Sequence, residues 1–270
     1  LLHAGVEQVL AGNGRILALA GEPGIGKTRT AQVLATHAEL RGVRVLWGRC
    51  HEEPGAPPYW PWQQVLRAYV EGHEGKALAA VLKDAAAHLA EIVPELPQGM
   101  GGVEPVAPSV DPVQARYRLF DAMSGFWKRA TAREPLLVIL DNVHWADASS
   151  LRVLEFLAPE VARSRLLAVI TYRDIELTRA HPLSGILAEL AKQPAFQRVK
   201  LGGLSAAETR RFIESTAGES PSAELLIEVH DQTEGTPLFV GEMTRFLVQE
   251  AVLGSDSRAR PRGRTPARPN

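Results

Sequence analysis

The octapeptide Gly21-Glu22-Pro23-Gly24-Ile25-Gly26-Lys27-Thr28 sets the tightest limit on how this chain folds. Arg15–Ala20, RILALA, leads into it as a short apolar run, the pattern of a buried strand. Thr28–Leu40 follows, with Ala31, Val33, Leu34, Ala35 and Ala38 at helical spacing. Glycine at 21, 24 and 26 neither continues the strand nor starts the helix, so the chain must reverse tightly between them. Strand, glycine turn and helix in that order form half of a βαβ unit. An α/β fold is therefore expected.

The rest of the chain extends this pattern. Val43–Gly48, VRVLWG, reads as a second strand, Leu136–Leu140 as a third, Arg165–Thr171 as a fourth and Arg198–Leu201 as a short fifth. Val6–Leu10 reads as the end of a short helix broken by Gly12-Asn13-Gly14. Helical stretches run from Gln63 to about Leu89, over Ala115–Thr131 and over Ser149–Leu157. Within Ala115–Thr131, Tyr117, Phe120, Met123, Phe126 and Trp127 make one apolar stripe, expected to be core. Alternating strands and helices imply a parallel sheet covered on both faces. After Leu204 only helices are expected: Ala206–Ser215, Ser222–His230 and Pro237–Val252. The expected division is an α/β domain over 1–203, a small helical subdomain over 204–253 and an Arg/Pro-rich tail over 254–270. The tail and the Pro-rich connector Pro94–Pro112 are expected to be disordered and exposed, respectively.

Charge narrows the partners. The chain carries 30 basic and 31 acidic residues, a net charge of −1. Ser255–Asn270 holds five Arg and one Asp, which leaves 25 basic and 30 acidic residues elsewhere. The body is thus mildly acidic and not a nucleic-acid binder by electrostatics. Cys50 is the single cysteine, which excludes an internal disulfide and fits a reducing, cytoplasmic setting. No apolar run is long enough to cross a bilayer and no signal-peptide pattern opens the chain, so no membrane partner is expected. The chain also lacks an initiator Met and reads as a piece of something longer.

The octapeptide fits G-x-x-x-x-G-K-[ST] in the strand-to-helix context that the motif requires. Glycines let successive backbone N–H groups turn toward phosphate oxygens, and the helix N-terminus adds partial positive charge. Lys27 would reach the β- and γ-phosphates, and the Thr28 hydroxyl would ligate Mg²⁺. In LLVILDNVHWAD, Leu136–Asp147, Asp141 ends a buried strand, where a carboxylate can hold the metal's shell through water. The ligand expected from these residues is a phosphate chain with Mg²⁺, bound by Gly21–Thr28 and Arg29, with Thr28 and Asp141 on the metal; the resemblance stated next implies that it is ATP or ADP.

Taken with the loop PYWPW and the segments AVITYRD and TEGTPLFVGEM, these motifs resemble the nucleotide-binding domain of STAND-class P-loop ATPases. The likeness is greatest to the ATPase modules of large LuxR-type transcriptional regulators, and it covers roughly Val6–Ala251. The resemblance implies a five-stranded parallel sheet with one strand inserted between the Walker strands, followed by a helical lid, with nucleotide between them. It implies a switch: ADP holds a closed state and ATP permits assembly. Self-association or an effector protein would then be the further partners. DNA would be reached only through a C-terminal helix-turn-helix that is not visible here. The Val-Gly-Arg-Glu-like lead-in of such modules is missing.

The resemblance makes Arg173 a sensor arginine for the γ-phosphate, where one charge-assisted contact would tell ATP from ADP. The plainer reading is a surface Arg pairing with Asp174 or Glu176. It places Pro237, in Gly235-Thr236-Pro237, near base and ribose. The residues alone give a proline in the first turn of a helix. Asn142 stands where such ATPases usually carry an acid that activates water, and an amide cannot accept that proton at neutral pH. Binding with slow hydrolysis is the expectation. Asp147 either caps the helix near Ser149 or lies near the nucleotide. Tyr59, Trp60 and Trp62 read as packed loop residues rather than a partner surface. A binding-only scaffold is the alternative function, since ligand at ~100 times its Kd stabilises a fold by ~2.7 kcal/mol. A different P-loop enzyme is the other alternative. No transporter signature, nucleophile motif or metal-ligand spacing of the eight His residues supports other chemistry.

Overall fold

The computed structural model describes residues 1–52, 55–96, 111–250 and 253. Most of the connector between Pro94 and Pro112, and the tail from 254 onward, lie outside the described residues. Strands β1 (Arg15–Ala20), β2 (Arg44–Arg49), β3 (Leu136–Asp141), β4 (Leu166–Tyr172) and β5 (Phe196–Lys200) form one sheet in the order β2-β3-β4-β1-β5. All four pairings are parallel. The α/β expectation holds, including the inserted strand. Val169 of β4 pairs with Leu17 of β1 on one side and Ile139 of β3 on the other. The carboxyl ends of β1, β3 and β4 consequently meet along one edge of the sheet, where open α/β folds bind their ligands.

Both faces of the sheet are covered, which is why its strands read as unbroken apolar runs. On one face Leu17, Leu19, Leu137, Ile139, Leu167 and Val169 pack on α1 (Leu2–Leu10) and α2 (Lys27–Leu40). On the other, alternate residues such as Ile16, Ala18, Val138, Leu140, Ala168 and Ile170 face a thicker helical layer. That layer holds α3 (Trp60–Glu71), α4 (Gly75–Leu82), α5 (Ala86–Leu89), α6 (Pro112–Arg133), α7 (Ala148–Val161) and α8 (Pro182–Leu190).

Local chemistry sets several helix starts. Asp111 accepts from Val113 N–H (2.8 Å) with Pro112 at the first position of α6. Asp147 accepts from Ser150 N–H (3.0 Å) and so caps α7. His181 accepts from Leu183 N–H (3.1 Å) at α8, a helix that the pattern reading above does not anticipate. Leu183, Ile186, Leu187 and Leu190 nevertheless fall at i, i+3, i+4 and i+7 behind Pro182 at the first position, so the helical signal is present in the sequence.

Two residues of the apolar helix patterns are exposed, one of them, Tyr117, expected in the core. Val33 is half exposed on α2, because it sits about 200° around the helix from Ala31. Tyr117 is 59% exposed, since burial on α6 begins only at Leu119. Phe120, Met123, Phe126 and Trp127 are buried as expected.

A second compact unit groups the described residues from Leu201 with Pro23–Gly26. It contains α9 (Ala206–Ala217), α10 (Ala223–Thr233) and α11 (Pro237–Gln249). Ser205 and Glu208 form a reciprocal capping box at α9, and Ser222 caps α10. Ile213, Leu226, Val229, Val240 and Leu253 make this unit's small core. Within the unit, Leu238 N–H donates to the Gly24 carbonyl at 3.2 Å.

Candidate functional site

The glycine loop leaves β1 at Gly21 and enters α2 at Lys27. Gly24 (φ +77°) and Gly26 (φ +95°) occupy backbone conformations that strain any residue with a Cβ. The loop is thus wound by the glycines that its sequence supplies. The Lys27 side chain turns back over it, and Nζ donates to the carbonyls of Gly21 and Glu22, both at 2.8 Å. Burial, and then the charge of nearby Arg173, lower the Lys27 pKa, while Asp174, Asp141 and Glu176 oppose the shift. Ile25 is buried, whereas Glu22, Pro23 and Arg29 are exposed. Pro237 occupies the first turn of α11 in the second unit.

Asp141 ends β3 with its side chain only 3% exposed. The Thr28 hydroxyl lies 3.1 and 3.0 Å from its two carboxylate oxygens. Thr171 of β4 donates a third, shorter bond to Oδ1 at 2.5 Å. Thr171 Oγ1 also accepts Asn142 N–H at 2.9 Å, so one buried hydroxyl fixes both residues at the end of β3. Sequence reasoning missed Thr171, and the available signal was a polar residue inside the apolar run LLAVIT.

Asn142 adopts φ 60°, ψ 44°, the left-handed region, and opens the tight turn Val143–Trp145. Asn enters that region more readily than most residues with a side chain. Its identity therefore has a backbone reason in addition to the missing acid. Asp147 also receives Tyr59 N–H (3.2 Å) and the Ser150 hydroxyl (2.5 Å), joining the PYWPW segment to the cap of α7. Trp62 is buried, and its indole N–H donates to the Ser150 carbonyl at 2.9 Å. Trp60 and Trp62 lie in the first turn of α3 rather than in a loop; Trp62 packs in the core, Tyr59 and Trp60 are only partly buried, and Tyr59 sits edge-on to Phe120.

Arg173 follows β4. Its Nη1 lies 2.6 Å from Glu176 Oε1, and its guanidinium carbon is 4.7 Å from the centre of the Trp145 ring. The pairing with Glu176, the plainer of the two readings of Arg173, is present, and the same arginine is near enough to influence Lys27. Cys50 is buried, and burial pushes its thiol up to about 12, so it stays protonated and unreactive near neutral pH.

These residues fit a metal–nucleotide pair. Among the described residues, no Lys, Arg or His forms an ion pair with the buried Asp141 carboxylate. Such a charge is costly without a cation. No cluster of three or more His, Cys, Asp or Glu suited to a metal exists among the described residues. Mg²⁺, however, is usually held by one or two carboxylates together with phosphate oxygens and waters. Thr28 and Asp141 are placed to supply the protein's share. No described helix is long and apolar enough to cross a membrane.

A parallel sheet in this order, with a glycine loop after β1 and a carboxylate closing β3, defines a P-loop nucleotide-binding domain. The AAA ATPase domain model matches residues 1–170, and the chain belongs to that family. Membership implies nucleotide binding, typically with Mg²⁺. The chain is 25% identical over 256 residues to an uncharacterized protein of Rhizobium meliloti (strain 1021), covering 89% of this chain and 23% of that one. It therefore spans about a quarter of that relative's length. Among solved structures, a RuvB variant of Thermotoga maritima superposes with a TM-score of 0.50 at 13% identity, covering 93% of this chain and 60% of that one. Domain III of the Thermotoga maritima replication initiation protein DnaA gives 0.45 at 13%, covering 93% and 83%. The RuvB likeness bears on the fold alone.

Proposed function

We propose that this chain is a nucleotide-operated switch module of the STAND type, which binds ATP or ADP with Mg²⁺ and hydrolyses ATP slowly. The observation that carries the reading is the Thr28–Asp141 contact, a loop hydroxyl against a buried carboxylate that forms no ion pair among the described residues. The loop N–H groups and Lys27 bind the β- and γ-phosphates; Lys27 has only loop carbonyls to leave. Thr28 and Asp141 hold the metal, and Thr171 keeps the Asp141 carboxylate oriented. Bound Mg²⁺ supplies neutralising charge for phosphoryl transfer. Arg173 senses the third phosphate. Asn142 orients water but takes no proton from it, which makes turnover slow while leaving binding intact. The resemblance of the motifs to LuxR-type regulators supports a signal-responsive transcriptional role, with DNA contacted through another domain of a longer protein.

Isothermal titration with ATP and ADP in Mg²⁺ tests the reading. Both nucleotides should bind, and Lys27→Ala should weaken both by removing a charge-assisted phosphate contact of about 1.5–3 kcal/mol. Equal affinity in the variant would remove Lys27 from the site, and no binding by the unmodified chain would overturn the function.

A further inference from the structure

Arg173 emerges from β4 at the same sheet edge as the glycine loop, yet its guanidinium is already engaged. Glu176, three residues on, holds Nη1 at 2.6 Å. Trp145, from the turn after β3, lies beneath it at 4.7 Å. Two separate turns thus grip one cation. Its charge reaches Lys27, but no loop group is its hydrogen-bond partner.

We propose that Glu176 acts as an internal competitor for the terminal phosphate: with Trp145 as platform it parks Arg173, and a triphosphate must displace the carboxylate to recruit the arginine. A diphosphate leaves Arg173 parked. Glu176 thereby sets the preference between ATP and ADP. The inference rests on the reading that a nucleotide occupies the glycine loop.

The surroundings provide for the displaced carboxylate. His144 Nε2 lies 3.5 Å from Glu176 Oε2, just beyond a good hydrogen bond. The His144 side chain is fully buried, and neither ring nitrogen has a hydrogen-bond partner. Burial holds its pKa at about 4, so at neutral pH it is an uncharged ring with one N–H to donate. His181 steadies the backbone at this point: its Nε2–H donates to the His144 carbonyl at 3.0 Å while Nδ1 accepts from Leu183 N–H. When Glu176 loses Arg173, a small shift toward His144 gives the orphaned imidazole its missing bond. The Arg173–Glu176 pair is partly exposed, and such pairs are weak enough for a phosphate to break.

The test is a double-substitution cycle on the full chain, with ATP and ADP affinities measured by titration in Mg²⁺. Glu176→Gln keeps the shape and removes the competing charge. It should raise the ATP-over-ADP preference about two- to five-fold, and Arg173→Ala should abolish that gain. A gain that persists beside Arg173→Ala would mean a bulk charge effect and would overturn the proposal, as would a fall in preference. A readout that leaves Glu176 untouched is Trp145 emission, which departure of the overlying guanidinium should alter. ATP should change it more than ADP, and the difference should vanish in Trp145→Phe; identical responses to both nucleotides would overturn the parking. If the unmodified chain binds neither nucleotide, the reading of the loop fails and takes the proposal with it. If it binds both and the cycle shows no coupling, the proposal alone fails.

Discussion

Thr171 of β4 donates to Asp141 of β3 at 2.5 Å, a charge-assisted bond across two neighbouring strands. The same oxygen accepts Asn142 N–H, so a residue with no part in the motif fixes two that belong to it.

Replacing that hydroxyl should therefore cost both stability and function. Thr171→Val keeps the volume but leaves a buried N–H and a carboxylate oxygen short of partners, at about 1–3 kcal/mol. Thermal unfolding should show a drop of several degrees, and Thr171→Ser should recover most of it. Equal melting temperatures for the valine variant and the unmodified chain would show that the bond contributes nothing net.

The Asn142 substitution tests chemistry against backbone. Asn142→Asp should raise single-turnover ATP hydrolysis at least ~10-fold, the low side of general-base help, with little change in ATP affinity. Asn142→Gly should retain stability, because φ 60° suits glycine, and should hydrolyse no faster than the unmodified chain. A fast unmodified chain, near ~1 s⁻¹ or above, with no gain in the aspartate variant would place water activation elsewhere.

His144 gives a pH dependence whose sign is fixed. Burial lowers its pKa from 6.5 to about 4; Arg173, Lys27 and His181 push the same way and Glu176 opposes. The unfolded chain takes up this proton first, so stability is full above pH 6.5 and is lost as pH falls toward 4. Melting temperature measured between pH 7 and pH 5 should decline, and His144→Leu should flatten that decline. An identical slope in the variant would assign the acid sensitivity to other groups.

Much of this molecule was legible in advance because its signals are local. Apolar runs marked the strands, glycines at 24 and 26 marked backbone that only glycine adopts easily, and Asp147 before a helix offered a cap as one of its two readings. Helix α8 was as legible as the others, since Leu183, Ile186, Leu187 and Leu190 stand at i, i+3, i+4 and i+7, yet the strand-by-strand reading passed over it. Tyr117 misled because a stripe continues along a helix beyond the layer it packs against.

By itself the sequence determined that β1, a wound loop and α2 follow one another, and that Asp141 closes an apolar strand. Neighbouring residues and their backbone preferences suffice for that. The motif resemblance implied a strand between β1 and β3, but only the tertiary structure decided that it is β4, and hence that Thr171 reaches Asp141 across 30 positions of chain. It likewise decided that Arg173 rests on Trp145 beside Glu176 and a partnerless His144. Such contacts depend on strand order and on which buried groups meet, and no periodicity along the chain records either.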